Sequence, residues 1–482
     1  MAYGDRYEMV CGIETHAEMA TKTKIFCACS TEFGAEQNTH VCPVCLGLPG
    51  TLPVLNREAV NLAIKAGLAL NCQIASVSKF DRKNYYYPDL PKNYQTSQYD
   101  MPIAQKGWLE IKTDAGVKKV GITRAHMEED AGKLIHSGES ITSSAGSSVD
   151  YNRAGVPLLE IVSEPDMRSP DEALAYLTSL VRILDYAGVS DCKLEQGSVR
   201  FDVNLSLRPK GSGELGTRTE MKNLNSFSAV RRCLEYEAER QAAELDKGAR
   251  IIQETRAWDE ERGMTLPLRE KEEAHDYRYF PEPDLMPLRI SPEWIESARR
   301  GLPELPAAKR ERLTTLGLSA YDAEVIVAAK DVALYFDEAL PTCSDVKMLA
   351  GWLTSELRGL LNARDETLAA CLVRPPMLAS LVNMIKEGTI SGKMGKTVLE
   401  TMARTGRAPE DIARAEGMSQ ISDAGALAAL IEDVLANNPK SVSDYRGGKA
   451  QALGFLVGQV MRLSKGQANP ALVNQILKEK LN

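Results

Sequence analysis

Carboxylates recur beside histidine, lysine and arginine at several places in this sequence, and their spacing is that of strands. In Gly12-Ile13-Glu14-Thr15-His16-Ala17-Glu18, alternation puts Glu14, His16 and Glu18 on one face and Ile13, Ala17 and Met19 on the other. Two carboxylates and an imidazole on one face repel unless a cation or a substrate proton sits among them. The pattern points to a divalent metal site, with a solvated strand face as the plainer alternative. A second acidic group lies in Arg124-Ala125-His126-Met127-Glu128-Glu129-Asp130, flanked by Lys133. Strict alternation joins Arg124, His126 and Glu128 and turns Glu129 away, unless a bulge intervenes. Asp202 lies on the polar side of a strand spanning 199–207, beside Arg200, and Arg218, Glu220 and Lys222 alternate outward further on. Polar-faced strands of this kind suit a magnesium-nucleotide site: carboxylates hold the metal and cations neutralise phosphate.

Cysteines form a separate constellation. Cys27 and Cys29 are followed, after twelve intervening residues, by Cys42 and Cys45, while the other six of the ten cysteines are scattered. Four soft ligands in two close pairs suit a tetrahedral zinc, and a closed four-thiolate shell makes the role structural. The alternatives are small apolar cysteines, or His40 in place of one ligand.

The elements that must position these residues are legible in outline. Up to about residue 290, short turns and period-two alternation predict mainly sheet. Val199, Phe201, Val203, Leu205 and Leu207 make one apolar strand face. Ser169-Pro170-Asp171-Glu172 is a capping box that predicts a helix closing near Gly188, and a second helix is expected over roughly 226–246. After the proline-bearing stretch 301–306 the composition turns to Ala, Leu, Glu and Arg at helical spacing. The division expected is a sheet-rich domain over 1–295 with cysteine knuckles at 27–45, a helical domain over 296–408 and a helical tail over 409–482, with Gly406 to Pro409 as a hinge. Gly392 to Thr397 ends like a phosphate-binding loop but has Ile390 where the first glycine belongs, so a nucleotide would rest on the sheet.

Composition sets the outer limits. The 482 residues exceed one ordinary core, and 44% hydrophobic with 26% charged residues describes a globular chain. No basic start with an apolar run and no apolar stretch of membrane-spanning length is present, so a cytoplasmic protein without membrane contact is expected, its cysteines reduced. A net charge of −8 argues against indiscriminate nucleic-acid binding. From Lys440 onward, however, seven Lys/Arg face two Asp/Glu, a local excess suited to RNA phosphates.

Taken together, these segments resemble the GatB family of the three-subunit glutamyl/aspartyl-tRNA amidotransferases (GatCAB), over nearly the whole chain. The stretch from Asp150 to Asp166, DYNRAGVPLLEIVSEPD, is similar to the family signature. Lys79 to Tyr85, His126 to Lys133, Lys222 to Phe227 and Asp276 to Asp284 are similar as well. The resemblance implies a glutamine-synthetase-like cradle in an α+β fold, then a helical domain and a YqeY-like tail that contacts tRNA. It implies ATP and Mg2+, and makes the structural Zn2+ read from Cys27, Cys29, Cys42 and Cys45 an optional brace that some family members lack, while this sequence has all four cysteines. Glu14, His16 and Glu129 would hold magnesium, Glu128, Asp202 and Glu220 would line the same depression, and Lys79, Arg200 and Lys222 would serve phosphate. On Glu129 the resemblance overrides the alternation argument. Lys449, Arg462 and Lys465 are the expected tRNA contacts. Partners implied are an amidase subunit (GatA), a small subunit (GatC) and mischarged tRNA(Gln) or tRNA(Asn). A noncatalytic RNA-binding scaffold and a free-standing carboxylate-amine ligase are the competing readings.

Overall fold

In the computed structural model, residues 3–136, 146–270, 277–418, 424–464 and 467–481 are described. The chain is a mixed α/β protein that divides into two compact units, Met1–Pro306 and Ala307–Asn482. Lys465 and Asp276, both singled out in the sequence, lie outside the described residues.

The first unit is organised by a nine-stranded sheet. In chain order its strands are β1 (Tyr7–Glu18), β2 (Gln73–Ile74), β3 (Ala104–Thr113), β4 (Gly116–Glu129), β5 (Pro157–Ser163), β6 (Val199–Pro209), β7 (Thr219–Lys222), β8 (Glu254–Asp259) and β9 (Met264–Glu270). Across the sheet they run β9-β8-β7-β6-β1-β5-β4-β3-β2. Only β7 and β8 pair in parallel; the other neighbours are antiparallel. β1, the first strand in sequence, is the fifth from either edge, so long-range pairing and not hairpin proximity builds the centre.

Three helices, α1 (Arg57–Ala69), α2 (Pro170–Tyr186) and α3 (Phe227–Asp246), cover one face. Cys11, Ile13 and Ala17 of β1 and Val199, Phe201, Val203 and Leu205 of β6 join Leu62, Tyr176, Leu180, Val230 and Leu234 of the helices in one apolar cluster. Burying one face leaves the other for polar side chains, the usual economy of an antiparallel sheet. The helix signals act as written. Ser169 caps α2 by accepting from the Glu172 N–H at 3.2 Å, and Gly188 follows the helix in the left-handed region at φ 68°. The Glu172 carboxylate accepts from the Arg168 N–H, one residue short of the reciprocal bond of a full capping box. Ser226 caps α3 through the Ala229 N–H. Gly392, the start of the failed phosphate-loop match, opens the helix Gly392–Thr405.

The second unit is helical throughout its described residues. Its last helices, Ala424–Asn437, Pro439–Arg446, Gln451–Leu463 and Pro470–Leu481, enclose a cluster of their own around Leu427, Ile431, Leu456, Val460, Val473 and Leu477.

One close approach in β3 yields a stability prediction. A Cβ on Gly107 would meet the Leu70 carbonyl oxygen at 2.6 Å and the Cys72 sulfur at 2.3 Å. The backbone after α1 cannot retreat without unpacking the helix. Gly107→Ala is expected to cost about 1–3 kcal/mol, read as a lowered midpoint in chemical denaturation.

Candidate active site and cysteine centre

Register carries the polar residues to the open face. β1 pairs with β6 so that Glu14 lies opposite Asp202 and His16 opposite Arg200, and with β5 so that His16 lies opposite Glu160. Leu158 and Glu160 of β5 face Glu128 and His126 of β4. Asn204 of β6 faces Glu220 of β7, which in turn faces Thr255 of β8.

Two ligand-like groups result. The first is His16, Glu128 and Glu160, and the second is Glu14, Asp202 and Glu220; in each, one donor atom per residue falls within 4.8 Å of the others. In the first, His16 Nε2 stands 3.3 Å from Glu160 and 3.9 Å from Glu128, and His126 Nε2 lies 3.4 Å from the same Glu160 oxygen. In the second, Lys222 reaches Asp202 at 2.6 Å and Glu220 at 3.7 Å. The groups are electrostatic neighbours, since Asp202 acts on the His16 charge. Three carboxylates are the hard oxygen donors magnesium takes, and the mixed histidine-carboxylate group suits magnesium less and manganese more.

A cavity of about 470 Å³ opens on His16, Glu128 and Asp202, walled by Lys83, Arg200 and Lys222. Arg200 forks onto Asp130 at 2.9 and 3.0 Å. Burial disfavours the Lys83 ammonium, yet Glu128 and nearby tyrosines keep it firmly charged, with its Nζ 4.9 Å from the Tyr277 ring centre.

Of the residues expected in one metal shell, the structure puts Glu14 in one group, His16 in the other and Glu129 in neither. Neighbouring strand residues point to opposite faces, so Glu128 joins His16 while Glu129 turns to Lys92, 2.5 Å away, and accepts from the Thr96 N–H at 2.8 Å. Alternation describes the direction of Glu129 here, and it stands apart from the two groups that contain Glu14 and His16, with which the resemblance joins it. Glu128, Asp202 and Glu220 fall in the two groups, and Arg200 and Lys222 line the cavity. Lys79 does not: it pairs with Asp81 and with Asp100 and is absent from the wall, where Lys83 stands instead. Sequence reasoning missed Lys83 and Glu160. Glu160 has a visible signal, a single charge inside the apolar run of β5.

The cysteines do meet. The sulfurs of Cys27, Cys29, Cys42 and Cys45 lie within 4.8 Å of one another, without His40. A tetrahedral Zn–S shell places its sulfurs roughly 3.8 Å apart, and Cys42 to Cys45 is 4.0 Å. Glu129 shares a second, smaller cavity of about 130 Å³ with Cys27, Cys45, Lys24 and Lys92. In the last segment, Lys449 is exposed and paired with Asp444 at 2.9 Å, and Arg462 is exposed in the last turn of Gln451–Leu463.

Residues 9–296 match the GatB/GatE catalytic domain and residues 334–481 the GatB domain. The chain belongs to the GatB family. Among its relatives, a protein of Carboxydothermus hydrogenoformans is 56% identical over 476 residues, covering 98% of this chain and 99% of that one. One from Moorella thermoacetica is 57% identical over 478 residues, covering 98% and 100%. One from Thermoanaerobacter pseudethanolicus is 55% identical, covering 99% and 100%. All three are named as the corresponding subunit of an aspartyl/glutamyl-tRNA(Asn/Gln) amidotransferase. The catalytic-domain match covers the sheet from Met9 of β1 onward and both carboxylate groups, so the family assignment and the site fall on the same residues.

The first group sets a pH dependence. Burial works against the His16 charge, but the hydrogen bond to Glu160 and the charges of Glu160, Glu128 and Asp202 outweigh it and raise the imidazole to about 9. A histidine raised in the folded state contributes its full stability below the unfolded value of about 6.5 and loses it as pH climbs toward the folded value. Cation-free protein is therefore expected to lose stability between about pH 6.5 and 9 by this route. Denaturation midpoints of His16→Gln should fall less steeply over that range than those of the wild type, with a remaining slope from His126, which Glu160 and Glu128 raise as well.

Proposed function

We propose that this chain is the subunit of a tRNA-dependent amidotransferase that activates the side-chain carboxylate of Glu-tRNA(Gln), Asp-tRNA(Asn) or both, using ATP. The observation that carries the reading is the pair of adjoining carboxylate groups on one sheet face, beside a cavity walled by Lys83, Arg200 and Lys222, in a chain whose relatives bear the amidotransferase name. A carboxylate resists ammonia at neutral pH because its oxygen leaves poorly and its charge repels the nucleophile. Transfer of the terminal phosphoryl group of ATP turns that oxygen into part of an acyl phosphate, and ammonia then displaces phosphate to give the amide.

Each part of the site has a task in this reaction. Glu14, Asp202 and Glu220, with His16, Glu128 and Glu160 beside them, would hold Mg2+. A cation bound there supplies neutralisation of the charge spread over the phosphoryl oxygens. Lys83, Lys222 and Arg200 bind and align the phosphates, and the sheet excludes water from one side of the acyl phosphate. Glu129 and Lys92 face the smaller cavity instead and have no part in this cation site. The four cysteines brace the loop with a structural zinc.

The reading extends to organisation and partners. Residues 1–295 form a glutamine-synthetase-like cradle, 296–408 a helical domain and 409–482 a YqeY-like tail that meets tRNA through Lys449, Arg462 and Lys465. The tail's separate apolar cluster and its basic excess support this division. Ammonia comes from glutamine on an amidase subunit (GatA), with a small subunit (GatC) completing a cytoplasmic heterotrimer.

In the assembled complex, Glu14→Ala is expected to abolish ATP hydrolysis stimulated by mischarged tRNA while glutaminase turnover persists; normal ATP hydrolysis by that variant would overturn the site assignment. Removing residues after 408 is expected to weaken tRNA binding at least tenfold in a filter or fluorescence titration. Ammonia-dependent amidation of saturating aminoacyl-tRNA should survive that truncation.

A further inference from the structure

The second carboxylate group has an ordered surround that its own residues do not explain. Each carboxylate receives a hydrogen bond from a different side chain: Asn204 Nδ2 to Glu14 Oε1 at 2.9 Å, Lys222 Nζ to Asp202 Oδ2 at 2.6 Å and Thr255 Oγ1 to Glu220 Oε2 at 2.8 Å. A carboxylate only accepts, so the Thr255 hydroxyl must donate. The Asn204 amide is fixed in the same way, because turning it over would set its oxygen against the anionic oxygen of Glu14. The Asn204 oxygen, Oδ1, is buried and has no hydrogen-bond partner among the described residues.

Thr255 is held more firmly than a surface hydroxyl. It is 2% exposed, and the pairing of β8 with β9 slips by a residue between Thr255 and Arg256. A bulge re-aims the side chains around it. Arg256, the next residue, is anchored on Thr265 by two bonds of 2.8 Å and lies 3.7 Å from Glu237, which is fully buried on α3. Thr265 closes the circuit by donating to Glu237 at 2.9 Å. The strand is thereby locked from the helix side while Thr255 points to Glu220 on the other.

We propose that Thr255 and Asn204 are positioning residues: each occupies one oxygen of an outer carboxylate of the Glu14–Asp202–Glu220 group and turns the remaining oxygens toward a divalent cation. Outer partners of this kind typically hold 10- to 100-fold in metal affinity. The inference rests on the reading of that group as a cation site, and Mn2+ is a probe that separates the two claims. Mn2+ binding to the full chain is measured by electron paramagnetic resonance for the wild type, Glu220→Gln, Thr255→Val, Thr255→Ser and Asn204→Leu.

The wild type should show a class of bound Mn2+ that Glu220→Gln loses. Thr255→Val should weaken that class about 10- to 100-fold, and Thr255→Ser, which keeps the hydroxyl, should stay within about threefold of wild type. Asn204→Leu, at the other end of the group, carries the same expectation as Thr255→Val, so the test survives misfolding of either. If no Mn2+ class depends on Glu220, the cation reading falls and the proposal with it. If that class exists and the folded Thr255→Val and Asn204→Leu proteins bind it as tightly as wild type, the positioning role alone is wrong. In the assembled enzyme the same variants should raise the Mg2+ concentration giving half-maximal ATP hydrolysis more than they lower the rate at saturating Mg2+.

Discussion

The register of β1 between β5 and β6 is the constraint on which the site depends. The polar residues of the open face meet as cross-strand pairs: Glu14 with Asp202, His16 with Glu160, Asn204 with Glu220. Side chains alternate with a period of two, so a slip of one residue in any of these ladders would carry its polar row into the helix-covered core and its apolar row into the cavity. The apolar face prevents that. Ile13, Ala17, Phe201 and Val203 are buried under α2 and α3, and burying such side chains is worth roughly 1.5–3 kcal/mol for each large one. The core thus sets the alignment of charges with which it has no direct contact.

Holding the charges together is the second half of the problem. Five carboxylates and two histidines on one patch of sheet would raise one another's proton affinity, and the protein answers with cations and donors of its own. Glu160, despite burial, is held far below the ordinary carboxylate range by His126 and His16. Lys222 serves Asp202 and Glu220, and Arg200 serves Asp130 just beyond. The cations of the cavity wall are thus partly paired within the protein itself, which keeps their charges from standing bare.

The cysteine centre is tied into the same framework from outside. Asn38 and Asn152 exchange hydrogen bonds between the knuckle loop and the segment leading into β5: Asn38 Nδ2 donates to the Val149 carbonyl and Asn152 Nδ2 to the Glu36 carbonyl. Lys24, fully buried, donates to the Tyr151 carbonyl at 3.1 Å and lies 3.6 Å from the Cys45 sulfur. The loop is therefore tied to the segment that leads into the strand bearing Glu160, and Cys27 and Cys45 line the smaller cavity that also holds Glu129.

By itself the sequence determined what is local. Alternation in 13–19 and 199–207 placed Glu14, His16 and Asp202 on the polar side, the Ser169 capping box marked one helix, and paired cysteines announced one sulfur cluster, because strand period, capping and ligand spacing are decided within a few residues of chain. Alternation also described the opposite directions of Glu128 and Glu129. The partners of these residues were decided only by the tertiary structure. Glu160 and His16 are 144 residues apart in number, and their meeting depends on which strands flank β1 and in what register. That choice is made by the fit of an entire apolar face to its helices, a sum over dozens of contacts that no short segment encodes. For the same reason Lys79 and Lys83 look interchangeable in the sequence, and only the folded sheet sends one to a pair of aspartates and the other to the cavity.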